Sequence, residues 1–176
     1  MKILYKLLIL FSLILVSSCA KEKKEISKIT ELDQELEMII TYKSAMVSLE
    51  KRDYYFASKK FLESELLFPQ SVWASKSALM SAYSNYMNNF YSEAVFHLER
   101  YMSTYPKDKN MIYAHYLMAM CYYENIEDEK KDLAPLIQAR KKFEFILKEY
   151  PETDFALDAS FKIDLINDIM ASKEMY

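Results

Sequence analysis

The sequence contains no glycine at all in 176 residues, where average usage of about 7% leads one to expect roughly a dozen. That absence removes the phosphate-cradling P-loop, the dinucleotide fingerprint and the G-x-S-x-G nucleophile elbow together. It also argues against a hairpin-rich β fold, whose tight turns want residues at positive φ. Basic excess is missing too: 23 Lys+Arg against 26 Asp+Glu give a net charge of −3, which leaves no electrostatic footprint for nucleic acid. With only two cysteines there is no disulfide framework. Histidine is equally scarce. His97 and His115 lie in different segments, and no H-x-x-x-H, C-x-x-C or other ligand cluster accompanies them, so neither a metal nor another cofactor is expected. Acidic pairs such as Glu63/Glu65 and Asp128/Glu129 read as solvated faces or loop charges. What is present is 52% apolar and 15% aromatic residues, enough for one buried core. The expectation is a helical, non-enzymatic chain.

The longest apolar run is short. Leu7–Val16 follows Lys2 and Lys6 and precedes the small residues Ser17 and Ser18, the layout of a secretion signal. As a helix it reaches about 15 Å, roughly half the hydrocarbon thickness of a bilayer. The segment Val16-Ser17-Ser18-Cys19 resembles the lipobox of bacterial lipoproteins. That resemblance implies cleavage before Cys19, diacylation and N-acylation of Cys19, and, with Ala20 following it, the outer membrane. Three acyl chains hold firmly, because each buried CH₂ contributes about 0.8 kcal/mol. Loss of Lys2 and Lys6 takes the mature charge to about −5. Residues 1–18 are thus expected as signal peptide, 19–30 as lipidated cysteine and charged tether, and 31–176 as the folded domain. Cys121, inside Tyr116–Tyr123, is expected in the core.

Three aromatic–proline pairs organise the remainder: Phe68-Pro69, Tyr105-Pro106 and Tyr150-Pro151. Twelve residues before each proline stands an alanine (Ala57, Ala94, Ala139), and eight before it a large apolar residue (Phe61, Leu98, Phe143). Tyr54 and Tyr91 stand fifteen before the first two prolines, and Ala82 and Ala119 thirteen after them, with Ala45 in the equivalent earlier place. Antiparallel helices approach closely only where both offer small side chains, and alanine does so without glycine's helix penalty. Proline stops the preceding helix and biases its neighbour away from αR. Successive prolines are 37 and then 45 residues apart, and the surplus falls in the polar stretch Asn125–Ala134. The expected helices are 31–51, 53–67, 71–88, 90–104, 109–124, 135–149 and 153–173.

This pattern resembles the tetratricopeptide repeat, a helix–turn–helix unit that stacks into a superhelix. Ala45, Ala82 and Ala119 replace the repeat's usual glycine. The expected fold is therefore all-α, a tetratricopeptide-like helical-hairpin solenoid of about three and a half repeats. The resemblance also implies that ligands lie along the first helices of the pairs, at fixed offsets from those alanines. The offsets fall on one helical face and give Tyr42, Lys76, Tyr83, Tyr86, Tyr113, Tyr116 and Tyr123 as candidate peptide- or partner-binding residues, with Met46, Met87 and Met120 among them. Tyrosine stripes are more often core than ligand contacts, so several of these residues are expected to pack against neighbouring helices. Ser160, Ile163, Ile166 and Met170 continue an apolar stripe into a fourth first helix, so the expectation is either a truncated form or a face left for a partner.

The lipobox, short charged tether, Tyr-Pro junctions, Ser48–Phe61, Ser81–Asn88 and Pro151–Ala159 together resemble the BamD (ComL-like) lipoproteins of the outer-membrane β-barrel assembly (BAM) complex. The resemblance implies a scaffold on the periplasmic face of the outer membrane, with BamA and other BAM subunits as partners. It also implies capture of the aromatic C-terminal segments of unfolded outer-membrane proteins. BamD proteins carry about five repeats, so contacts made by later repeats are in doubt for this chain. The alternative is a Tol-Pal-associated periplasmic tetratricopeptide adaptor, a class that shares the Tyr-Pro-x-Ser/Thr-x-x-Ala-x-x-Ala signature.

Overall fold

Each aromatic–proline junction ends a helix for the reason its sequence suggests. The residue before proline is pushed out of αR: Phe68 sits at φ −145°, ψ 75°, Tyr105 at −122°, 54° and Tyr150 at −136°, 49°. In the computed structural model, which describes residues 28–125 and 133–174, these stops delimit α1 (Lys28–Glu50), α2 (Tyr54–Leu67), α3 (Ala74–Met87), α4 (Tyr91–Thr104), α5 (Met111–Glu124), α6 (Ala134–Glu149) and α7 (Asp154–Glu174). No strand occurs among the described residues. From Leu32 onward the helices belong to one compact unit. From α2 onward each packs on the next, and α3, α5 and α7 touch in turn. The chain is a stack of helical hairpins: α1–α2, α3–α4, α5–α6 and the single α7.

The sequence ruler is the core. Ala45 meets Ala57 and Phe61 between α1 and α2; Ala82 meets Ala94 and Leu98 between α3 and α4; Ala119 meets Ala139 and Phe143 between α5 and α6. All nine are fully buried. The small residues set the helix separation and the large ones fill the space one turn away, at close-packed density. Cys121 lies in the same core, and burial pushes its thiol up to about 12, which removes it from thiolate chemistry.

The α2–α3 contact is made differently. Here buried serines replace part of the apolar surface. Ser58 donates to Asn85 Oδ1 (3.0 Å), Ser81 donates to the Ser58 carbonyl (3.0 Å), and Ser64 lies 3.2 Å from Ser77 Oγ while donating back to the Met38 carbonyl of α1 (3.2 Å). Small hydroxyls let the helices approach, and each finds a partner, as buried polar groups must.

The turns inside the first two hairpins do need positive φ, and the chain meets that need without glycine. Arg52 (φ 61°) and Asn89 (φ 58°) occupy the left-handed position. In the first turn Asp53 N–H reaches the Ser48 carbonyl and Arg52 N–H that of Leu49. In the second, Phe90 reaches Asn85 and Asn89 reaches Tyr86. Both are Schellman motifs. Asp53 then caps α2, its carboxylate accepting the Phe56 N–H at 3.4 Å. The corresponding segment of the third hairpin, residues 126–132, lies outside the described residues, as do the expected signal peptide, residues 1–18, and Cys19. Helix α1 begins at Lys28, so it takes in the last residues of the expected tether.

Two readings of the sequence change. Glu65 is not a solvated acid but 3% exposed. Arg100 of α4 grips it with two bonds, Nη1 to Oε1 at 2.8 Å and Nη2 to Oε2 at 2.5 Å, and Tyr105 donates its hydroxyl to Oε1 at 2.8 Å. The bond to Glu65 raises the guanidinium's already high pKa. On α7, Ile163, Ile166 and Met170 are not the free stripe: they pack inward on the α5–α6 core. The apolar residues that face outward there are Leu157, Phe161 and Leu165.

Candidate functional site

The candidate residues lie along the first helices, in three groups. Tyr42 and Lys76 form the first. Tyr42 is 7% exposed, its ring edge-on to Phe61 (5.3 Å) and to Trp73 (5.2 Å). Lys76 holds its ammonium 5.4 Å from the Tyr42 ring and 5.1 Å from that of Trp73, within cation–π range of both. Beside them Ile39, Tyr42, Lys43 and Trp73 line a cleft of about 350 Å³. An apolar cleft bordered by two lysines suits a side chain that is aromatic or aliphatic and attached to negative charge.

The second group joins three helices. Tyr83 and Tyr86 of α3, Tyr113 of α5 and the neighbouring Tyr91 are half-buried against one cluster. The Tyr86 and Tyr91 rings are 5.8 Å apart. Tyr113 and Tyr116 both meet Phe155 of α7, at 6.0 and 5.1 Å. Tyr116 also packs on Phe143 and donates its hydroxyl to Asp158 Oδ2 at 2.6 Å. Burial, with Glu124 and the neighbouring phenols adding to it, pushes Tyr86 up to about 12. Tyr113 is raised by burial and by Tyr83 and Tyr86, and Tyr116 by burial and its bond to Asp158. These phenols stay protonated at any physiological pH. They offer half-covered rings with neutral hydroxyl tips, and no nucleophile.

Tyr123 stands apart, further along α5, against Phe143 (6.4 Å) with the Lys162 ammonium 4.7 Å over its ring. The histidines belong to none of the three groups. His115 packs on Phe145 at 4.6 Å. Burial holds both imidazoles below their ordinary value, with help from Lys142 at His115 and from Arg100 at His97. Among the described residues no set of three or more His, Cys, Asp or Glu is placed to hold a metal.

Among the residues that escaped the sequence reading are Trp73, Phe155 and Asp158. A signal existed for each. Trp73 and Phe155 both stand four residues after a junction proline, where the middle repeat has Asn110. Asp158 stands seven after Pro151, the register of Lys76 after Pro69 and Tyr113 after Pro106. Carrying the offsets into the fourth first helix finds it.

Residues 34–176 match the YfiO family, described as outer membrane lipoprotein. Among curated proteins, the outer membrane protein assembly factor BamD of Caulobacter vibrioides is 37% identical over 160 residues, covering 91% of this chain and 52% of that protein. BamD of Rickettsia prowazekii is 34% identical over 134 residues, 76% of this chain and 53% of that protein. BamD of Neisseria meningitidis serogroup A is 25% identical over 180 residues, 97% and 67% respectively. The chain spans about half the length of the first two of these relatives.

Proposed function

The chain belongs to the YfiO family of outer membrane lipoproteins, and from that membership we propose that it is a non-catalytic scaffold of the outer-membrane β-barrel assembly machinery. Its relatives carry the name of outer membrane protein assembly factors, which favours this reading over the Tol-Pal-linked adaptor. Among the described residues no helix is long and apolar enough to cross a membrane. Acylated Cys19 is the proposed anchor, holding the hairpin stack at the periplasmic face of the outer membrane. BamA and the other subunits of the complex are the proposed protein partners.

The observation that carries a receptor role is the aromatic run across α3, α5 and α7. Tyr83, Tyr86, Tyr113 and Tyr116 present ring surface together with hydroxyls that donate and accept. Such a surface takes extended aromatic segments by stacking and by main-chain hydrogen bonds at once. The cleft beside Tyr42, with Lys43 and Lys76 at its border, suits a terminal aromatic residue and its carboxylate. The proposed ligand is the aromatic C-terminal segment of an unfolded outer-membrane protein.

The test is fluorescence anisotropy with a labelled peptide ending in such a segment. Replacing Tyr83, Tyr86 and Tyr116 together by Ala is expected to weaken binding at least tenfold while the far-ultraviolet helical signal persists. The matching Phe variants keep the rings and lose only the hydroxyls, so they are expected to retain most of the affinity. Unchanged peptide affinity in the Ala variant refutes the receptor role. Globomycin-sensitive processing and partition of the mature chain into the detergent phase are expected for the anchor, and a Cys19→Ser variant should lose both.

A further inference from the structure

The apolar core thins out between the first hairpin and the second. At the next joint large side chains interlock: Tyr101 of α4 is buried in one cluster with Leu117 and Met118 of α5. Such knobs cannot slide without opening voids. At the first joint the contact is made by small polar groups. Ser77, Ser81 and Asn85 stand at i, i+4 and i+8 along one face of α3, buried with Ser58 and Ser64 of α2. Ser58 Oγ has two partners within reach, Asn85 Oδ1 at 3.0 Å and Ser81 Oγ at 3.5 Å. Ser64 Oγ also has two, the Met38 carbonyl and Ser77 Oγ, each at 3.2 Å. A hydroxyl rotates from one partner to the next, so a small slide exchanges these bonds and leaves none unmade.

The Glu65–Arg100 pair crosses the same joint, from α2 to α4. Glu65 stands four residues before Pro69 and Arg100 six before Pro106; in the following hairpins those places hold Met102 and Phe145. The first joint therefore has a two-pronged ion pair where the second has apolar residues, and such a fork fixes geometry as well as energy. The cleft straddles this joint. Ile39, Tyr42 and Lys43 come from α1, and Trp73 from the residue that begins α3, so its two walls belong to different hairpins. We infer that the joint is a shear joint: the first hairpin slides on α3 over exchangeable hydroxyl bonds, and Glu65, held by Arg100 and Tyr105, fixes the setting that gives the cleft its width. Packed helices move by small slides of this kind. Glu65 is thus a positioning residue for the cleft, although it lies on a different helix from any of the lining side chains. The joint is independent of the receptor reading and stands whether or not the cleft takes a C-terminal segment.

Trp73 is the only tryptophan of the chain, so its fluorescence reports the cleft without a label. The experiment is acrylamide quenching of the full chain under native conditions, with the far-ultraviolet helical signal recorded alongside. Glu65→Gln and Arg100→Gln, each loosening the ion pair, are expected to raise the quenching constant about twofold, as for a local opening. Placing the second joint's residues at the first, Glu65→Met with Arg100→Phe, is expected to return it to the wild-type value. Phe143→Leu destabilises the chain from the α5–α6 core and is expected to leave the constant unchanged, which separates positioning from a loss of stability alone. Quenching unaltered in both single variants overturns the inference. An equal rise in Phe143→Leu, or a double variant as quenched as the single ones, overturns it too.

Discussion

A carboxylate withdrawn from water has to be compensated where it lies, and Glu65 is compensated by the two guanidinium bonds from Arg100 and the hydroxyl of Tyr105. Removing it strands both donors against the core. Glu65→Ala is therefore expected to lower the unfolding free energy by about 2–3 kcal/mol, the range for charge-assisted bonds with one partner partly in water. Urea denaturation measures it, and Glu65→Gln, which keeps the Tyr105 bond, should lose less. The histidines supply the pH response. Burial lowers the folded-state value of His97 and His115, while the unfolded chain takes its proton near the ordinary value of about 6.5. The unfolded state then binds more protons, so stability falls as pH drops below about 6.5 and is restored above it. Thermal unfolding between pH 7.5 and 5.5 should show this slope, and the His97→Gln/His115→Gln double variant should flatten it. At this scale the sequence was legible only where position implied environment. Cys121 inside an apolar run read correctly as core. Glu65 did not, because its partner lies 35 residues away and no local pattern announces a tertiary ion pair.

Helices end in this chain by two devices, one visible in the sequence and one hidden. Proline with a preceding aromatic stops α2, α4 and α6, and those ends were legible to the residue. The hairpin turns after α1 and α3 use Schellman geometry with Arg52 and Asn89 at positive φ, and the absence of glycine concealed them. A non-glycine residue in the left-handed region costs about 1–2 kcal/mol, less for Asn than for Arg. Glycine escapes that cost at the expense of about 0.5–1 kcal/mol of chain entropy. Arg52→Gly is accordingly expected to raise stability by roughly 0.5–1 kcal/mol. Asn89→Ala should lower it by about 1 kcal/mol, since it also forfeits the bond from Tyr91 at 3.0 Å. Chemical denaturation of both variants checks the opposite signs. On α7 the helix itself was legible but its orientation was not: two apolar stripes compete there, and only packing against α5 and α6 decides that Ile163, Ile166 and Met170 turn inward.

Over the whole molecule, periodicity carried most of the information. Alanines and large residues at fixed distances from three prolines defined the hairpins, and each of those residues is buried where two helices cross. The candidate site was legible as a face but not as an arrangement. The offsets named residues on the first helices; only the stacking of α3, α5 and α7 shows that Tyr83, Tyr86 and Tyr113 pack on one cluster, that Tyr113 and Tyr116 meet Phe155, and that Tyr42 lies deep against Trp73. A ladder of half-buried rings on a helical scaffold, in a family of outer membrane lipoproteins, supports the proposed role of holding other proteins. The most direct test is affinity purification of the tagged full chain from detergent-solubilised membranes, with the co-eluting proteins identified by mass spectrometry. BamA and further barrel-assembly subunits should co-elute; recovery of Tol-Pal components in their place, or of no assembly subunit, contradicts the account.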